Sequence, residues 1–197
     1  MKKTKVKEVA LIIRGCHTDP KEKDKSNMND SNKNIVEAHI VSYNNVLTEI
    51  EDVLLEDTIK EDDDFGKEVY IPIYTKYKNT ILQTEQLIAP VNHKNRRMKF
   101  VNWQDKTKFK NFVYADDLII IKPNKDRILP KFLYYILNTE AMLKKLNEGD
   151  RLTCETVGNL DFILPPIQDQ IDMVKELEKI NYKKAQLEKG FEDLIIK

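Results

Sequence analysis

The period of apolar and polar positions shifts along the chain, and each shift predicts a different kind of element. Lys5 to Gly15 enclose the apolar run Val9-Ala10-Leu11-Ile12-Ile13, a short helix or strand closing on a glycine able to take positive φ. Residues 20–34 hold one apolar side chain, Met28, which predicts a mobile loop. Residues 35–41, 69–74, 79–91 and 117–122 are rich in β-branched and aromatic side chains. They predict short strands of a compact mixed or antiparallel sheet, with Pro72 confined to an edge or a bulge. From Pro130 the period becomes helical: Phe132, Tyr135 and Ile136 fall on one face with Met142 and Leu143 beyond them, and proline suits a first helical position. Asn147-Glu148-Gly149-Asp150 stops that run, and Leu152 to Leu160 lead to a strand, Asp161 to Leu164, closed by Pro165-Pro166.

The last element carries the strongest pattern. Met173, Leu177, Ile180, Lys184, Leu187, Phe191 and Leu194 recur at alternating steps of four and three residues, the heptad seam of a helix that pairs with another helix. Lys184 is the one charged seam position, of the kind that sets register or orientation at some cost in stability. Gly190 weakens the helix by roughly 1 kcal/mol relative to alanine. Ile167, Ile171 and Val174 form a separate stripe at the helix start, suited to packing back on the preceding domain. The predicted fold is α+β: one compact mixed-sheet domain over residues 1–164, then a long C-terminal coiled-coil helix over 165–197. A lone exposed seam is an aggregation liability, so burial against a second copy or another subunit is expected.

Composition narrows the class. With 41% hydrophobic and 34% charged residues the chain is globular; no apolar run approaches the roughly 20 residues of a membrane span. The apolar run after the basic Met1 to Lys5 is shorter than a signal peptide's core. Cys16 and Cys154 suggest no disulfide framework, so a reducing, cytoplasmic compartment is expected. The net charge of zero conceals a strong segregation: +3 over residues 1–30, −8 over 31–64, +8 over 65–134 and −3 over the remainder. A basic middle segment can face nucleic-acid phosphates, although the same charges can also be dispersed over a solvated surface.

Chemistry within the chain is poorly supported. The Asn/Asp-Pro-Pro-aromatic tetrad and glycine-rich cofactor turn of an adenine methyltransferase are missing, as are the Glu-x-Lys tripeptide of a metal-dependent nuclease and a P-loop. No catalytic residue, metal ligand or cofactor is therefore assigned. Cys16, His17, His39 and His93 lack metal-ligand spacing. The carboxylates between Glu49 and Asp64 read as a solvated loop around a Val53-Leu54-Leu55 strand, because the run lacks the spaced oxygen ligands and turn glycine of a calcium loop. Recognition remains. Residues 92–110 mix cations, amides and aromatics: Asn95, Arg96, Arg97 and Gln104 are candidates for base edges, Lys94, Lys99, Lys106, Lys108 and Lys110 for phosphates. Lys76 and Lys78, around Tyr77, form a second candidate, and the loop at 15–34 a third. Trp103 fits either a half-buried core aromatic or a DNA contact, and the alternation of Lys106, Lys108 and Lys110 fits a strand's solvent face equally well. Replacing Arg96 and Arg97 together by alanine is expected to weaken DNA binding without affecting folding.

The order Asp117-Leu118-Ile119-Ile120-Ile121-Lys122-Pro123, Leu129-Pro130-Lys131-Phe132-Leu133-Tyr134-Tyr135-Ile136-Leu137, Thr153 to Leu160, and Ile163-Leu164-Pro165-Pro166-Ile167-Gln168-Asp169-Gln170 resembles the DNA specificity subunit of type I restriction-modification systems. The opening Glu8-Val9-Ala10-Leu11-Ile12-Ile13-Arg14-Gly15 resembles that family's first segment, so the likeness spans residues 5–197. Full specificity subunits carry two target recognition domains and two long helices paired antiparallel; with one of each, this chain resembles a half subunit. Thr84-Glu85 stands where relatives usually carry a Gly-Asp turn. The resemblance implies a non-catalytic DNA reader. It would form a homodimer through the C-terminal helix on a split, palindromic double-stranded target, position type I methyltransferase subunits, and join a restriction complex when motor subunits are added. The alternative is a structural or regulatory interaction protein, a truncated specificity fragment that competes for subunits without reading DNA.

Overall fold

A computed structural model describes residues 2–15, 35–41, 53–54, 68–72, 85–101 and 112–195. The loop at 20–34, most of the acidic stretch, Lys76, Lys78 and the segment holding Trp103 to Lys110 lie outside the described residues. The strands are β1 (Lys2–Lys5), β2 (Ala10–Arg14), β3 (Ile35–Val41), β4 (Val53–Leu54), β5 (Glu68–Pro72), β6 (Leu87–Pro90), β7 (Lys99–Val101), β8 (Phe112–Tyr114), β9 (Leu118–Pro123) and β10 (Asp161–Leu164). The helices are α1 (Val6–Val9), α2 (Pro130–Leu137), α3 (Glu140–Leu146), α4 (Cys154–Gly158) and α5 (Ile167–Ile195). The architecture is mixed helix and sheet.

A sheet of order β2-β9-β6-β7-β4 forms the body, antiparallel except for the β4–β7 pair. A three-stranded sheet of order β5-β3-β8 and the β1–β10 ribbon complete the strands. The opening segment is both of the forms its sequence allowed. One helical turn buries Val6 and Val9 at i, i+3, and the chain then extends into β2. Strand β9 reads as an unbroken apolar run because both its faces are covered: Ile119 and Ile121 enter the main core, and Leu118 and Ile120 on the other face are equally buried. Pro72 pairs with Ile35 at the end of the edge strand β5, a place that needs no ladder donor. Gly15 is required by close approach, since a Cβ there would lie 1.7 Å from the Ala115 carbonyl oxygen. Glu85, from the Thr84-Glu85 pair that replaces a Gly-Asp turn, adopts a left-handed φ of 60° and forms an ion pair with Lys125.

The helical run after Pro130 is two helices and not one. It breaks at Asn138-Thr139, where Thr139 caps α3 in an extended conformation and its hydroxyl donates to Ile136 O. The Leu152 to Leu160 segment contains α4, whose N-cap Thr153 accepts from Thr156 N at 3.0 Å. These helices, the first turns of α5 and the near face of the main sheet share one core that includes Phe132, Leu133, Leu137, Leu146, Val157, Phe162 and Val174.

The long helix is tied down before it leaves. Gln170 is fully buried; its Oε1 accepts from Leu129 N at 2.8 Å while Nε2 donates to Pro165 O at 2.9 Å and Arg127 O at 3.3 Å. The Pro165-Pro166 junction leaves the Pro165 carbonyl without a sheet partner on that side, and Gln170 supplies one together with the free N–H ahead of Pro130. With Gln170 and Val174 both buried, the first two turns of α5 belong to the globular core.

Candidate nucleic-acid interface

The segment from Val91 to Met98, between β6 and β7, carries the described part of the predicted basic loop. Its backbone is pinned at both ends. Val91 N donates to Asp117 O and Leu152 N to Val91 O, each at 2.9 Å. At the other end Asn138 grips Met98, whose side chain is fully buried, and Asn147 Oδ1 accepts from Arg96 N at 3.2 Å. Inside the loop, His93 Nδ1 accepts from Asn95 N and Asn95 Oδ1 from Arg97 N, at 3.1 and 3.3 Å.

This anchoring sorts the candidate residues. Lys94, Asn95 and Arg97 are exposed and Lys99 is half-buried. Arg96 is different: it is 3% exposed, with its guanidinium turned inward. Its Nη1 donates to Leu146 O at 2.8 Å and Glu148 O at 3.2 Å, Nη2 to Gly149 O at 2.9 Å and Nε to His93 O at 3.2 Å. Four N–H groups are spent on backbone carbonyls at the C-terminus of α3 and in the turn beyond it, where Gly149 takes a φ of 77°. A helix C-terminus presents unsatisfied carbonyls and negative potential, so the buried cation is matched by the peptide dipoles. The base-edge assignment of Arg96 is therefore corrected: in this fold it locks the loop to the α3 terminus. Adjacent residues in extended backbone point to opposite sides, so burying Arg96 and Met98 is what turns Arg97 outward.

Gln104, Lys106, Lys108 and Lys110, with Lys76 and Lys78, lie outside the described residues. The residues that position the loop, Asn138 and Asn147, were not singled out as functional from sequence. Their signal was local: two asparagines, each interrupting or ending a helical period, in a protein that needs amide side chains to satisfy a loop's backbone.

On α5, Met173, Leu177, Ile180 and Leu187 are 46, 36, 59 and 65% exposed, and Lys184 lies exposed in the same row. The side chains of Phe191 and Leu194 are outside the described set. Among the described residues, no helix is long and apolar enough to cross a membrane.

No protein-family model and no curated protein matches the sequence. Solved structures do match. One, from work on complex assembly and conformational transition of the type I R-M system, aligns with a TM-score of 0.58 at 15% identity over 94% of this chain and 39% of its own. The HsdS subunit from Thermoanaerobacter tengcongensis aligns with a TM-score of 0.57 at 14% identity over 96% of this chain and 39% of its own. The chain thus spans about two fifths of the length of these structures, and its fold is that of the type I restriction-modification HsdS subunit over that length.

Proposed function

We propose that this chain is the DNA-recognition component of a type I restriction-modification assembly and acts as a half specificity subunit. The observation that carries the reading is the fold likeness: nearly the whole chain aligns with 39% of an HsdS subunit, a span that holds one globular domain and one long helix. The domain reads one half of a split double-stranded target. Arg97 and Asn95 are its base-edge candidates on the pinned loop, and Lys94 and Lys99 approach phosphates; Gln104, Lys76, Lys78, Lys106, Lys108 and Lys110 extend the same basic surface in sequence. The α5 seam joins a second copy antiparallel, placing a recognition domain at each end, and the dimer positions adenine methyltransferase subunits, with motor and restriction subunits added in the full complex. The chain contributes recognition and no catalysis.

Titration of the full chain against duplex DNA at controlled salt, combined with mapping of methylated adenines in cells with and without the chain, tests this. A Lys94→Ala, Arg97→Ala variant is expected to fold normally and bind more weakly with a shallower salt dependence. Unchanged affinity would remove the loop from the interface. The exposed seam also suits the second reading, a non-catalytic fragment that competes for complex subunits. Polar replacement of Ile180 and Leu187 abolishes assembly in both cases, whereas the loop variant matters only to a DNA reader.

A further inference from the structure

The seam of α5 does not end where the helix leaves the domain. Met173 and Leu177 also form one wall of an open apolar groove of about 480 Å³ whose other wall is Phe132, Tyr135 and Ile136 of α2, with Asp172 and Glu176 at its rim. From this groove and from the charge at Lys184 we infer that the groove seats the C-terminal turns of α5 from a second copy, and that Lys184 is the residue selecting the antiparallel orientation that brings them there. This rests on the dimeric reading above and specifies its contact.

Three observations converge. The groove is continuous with the exposed row Leu177, Ile180 and Leu187, so a helix lying along the seam enters it without changing direction. In a parallel pair every seam residue meets its own copy, setting one Lys184 ammonium against another in the least hydrated part of the contact, where like charges repel most. An antiparallel register that sets Leu187 against Leu177 instead places Lys184 beside Ile180 and position 191 beside Met173. Every seam position from 173 to 191 then has a partner of a different type. Charge follows the same order. Residues 167–182 carry four carboxylates, Asp169, Asp172, Glu176 and Glu178, against two ammonium groups, Lys175 and Lys179. Residues 183–197 carry four lysines against three carboxylates. Antiparallel pairing opposes the acidic half to the basic half, whereas parallel pairing opposes like to like. The globular domain also packs on the first turns of the helix, so two domains would crowd one end of a parallel pair.

Cysteine crosslinking in the full chain decides the matter. In a Cys16→Ser, Cys154→Ser background, an equimolar mixture of the Leu177→Cys and Leu187→Cys variants is expected to form an intermolecular disulfide under mild oxidation, and neither variant alone is. Sedimentation at tens of micromolar is expected to give a dimer, weakened about tenfold or more by Ile136→Glu in the groove. Lys184→Leu is expected to let Leu187→Cys crosslink with itself, by removing the bias against the parallel pair. A dimer in which Leu187→Cys already crosslinks with itself while Lys184 is intact, or one insensitive to Ile136→Glu with its thermal midpoint unchanged, overturns the inference and leaves the dimeric reading standing. A chain that stays monomeric overturns both.

Discussion

The side-chain amide of Asn138 holds the backbone of Met98 from both sides, Oδ1 accepting from Met98 N at 2.8 Å and Nδ2 donating to Met98 O at 3.0 Å. Residues 40 positions apart are thereby joined as a short piece of ladder, and the helix break at Asn138-Thr139 frees the amide to do it. Asn138→Ala leaves both Met98 groups without these partners and is expected to cost about 2 kcal/mol, on the basis of about 1 kcal/mol per hydrogen bond. The urea midpoint measures it. A change below about 0.5 kcal/mol would mean that water replaces the amide without loss.

Arg96 and Arg97 are neighbours with opposite fates, and they separate folding from binding. Arg96→Ala is expected to destabilise the chain by about 2–3 kcal/mol, because a charged donor set serving four buried or half-buried carbonyls is lost. Arg96→Lys recovers little, since an ammonium cannot reproduce the planar fork. Arg97→Ala is expected to leave the urea midpoint within about 0.5 kcal/mol of the parent and to weaken DNA binding by about 1–3 kcal/mol where it reads a base. The double alanine variant first expected to fold normally would confound the two effects.

Gln170 fixes the angle at which α5 departs. Gln170→Leu conserves much of the volume but strips Leu129 N, Pro165 O and Arg127 O of their partner, an expected loss of about 2–3 kcal/mol. Amide hydrogen exchange should rise at Leu129 and in the first turn of α5 before it rises elsewhere. Uniform protection throughout that region would count against the clamp.

The pairing of β1 with β10 is expected to weaken in acid. The Lys3 ammonium, 3.0 Å from Asp161, donates a hydrogen bond that holds the Asp161 carboxyl below its ordinary value; partial burial opposes this, and the charges of Lys3, Lys5 and Lys145 reinforce it. A carboxyl lowered in the folded state contributes stability that is present above its unfolded pKa, about 3.9, and lost as pH falls through the lower folded value. Asp161→Asn should therefore flatten the acid limb of a stability profile run from about pH 6 down to about pH 3 and change little at neutral pH. An acid limb identical to the parent's would exclude the pair as its source.

Much of the framework was legible in order along the chain. The strands at 35–41, 118–123 and 161–164, the proline-initiated helix and the terminal helix all follow from local period and from breakers, which act within a few residues. The Ile167, Ile171 and Val174 stripe was read as packing back on the domain, and Val174 does so. What local pattern missed was the division of one helical run into α2 and α3, since Phe132 to Leu143 keep an apolar period across the break. The reason for the break lies 40 residues upstream, at Met98.

By itself the sequence determined which segments are helical or extended, the seam on α5, and a basic, amide-rich stretch between two strands. Those properties depend on side-chain type and near-neighbour spacing. Only the tertiary structure decided which cations of that stretch face solvent. Arg96 and Arg97 are the same residue type one position apart, and nothing local distinguishes them. The carbonyls at the end of α3 do: folding places that helix terminus against one side of the loop, the cation on that side is drawn into the peptide dipoles, and its neighbour is left on the surface.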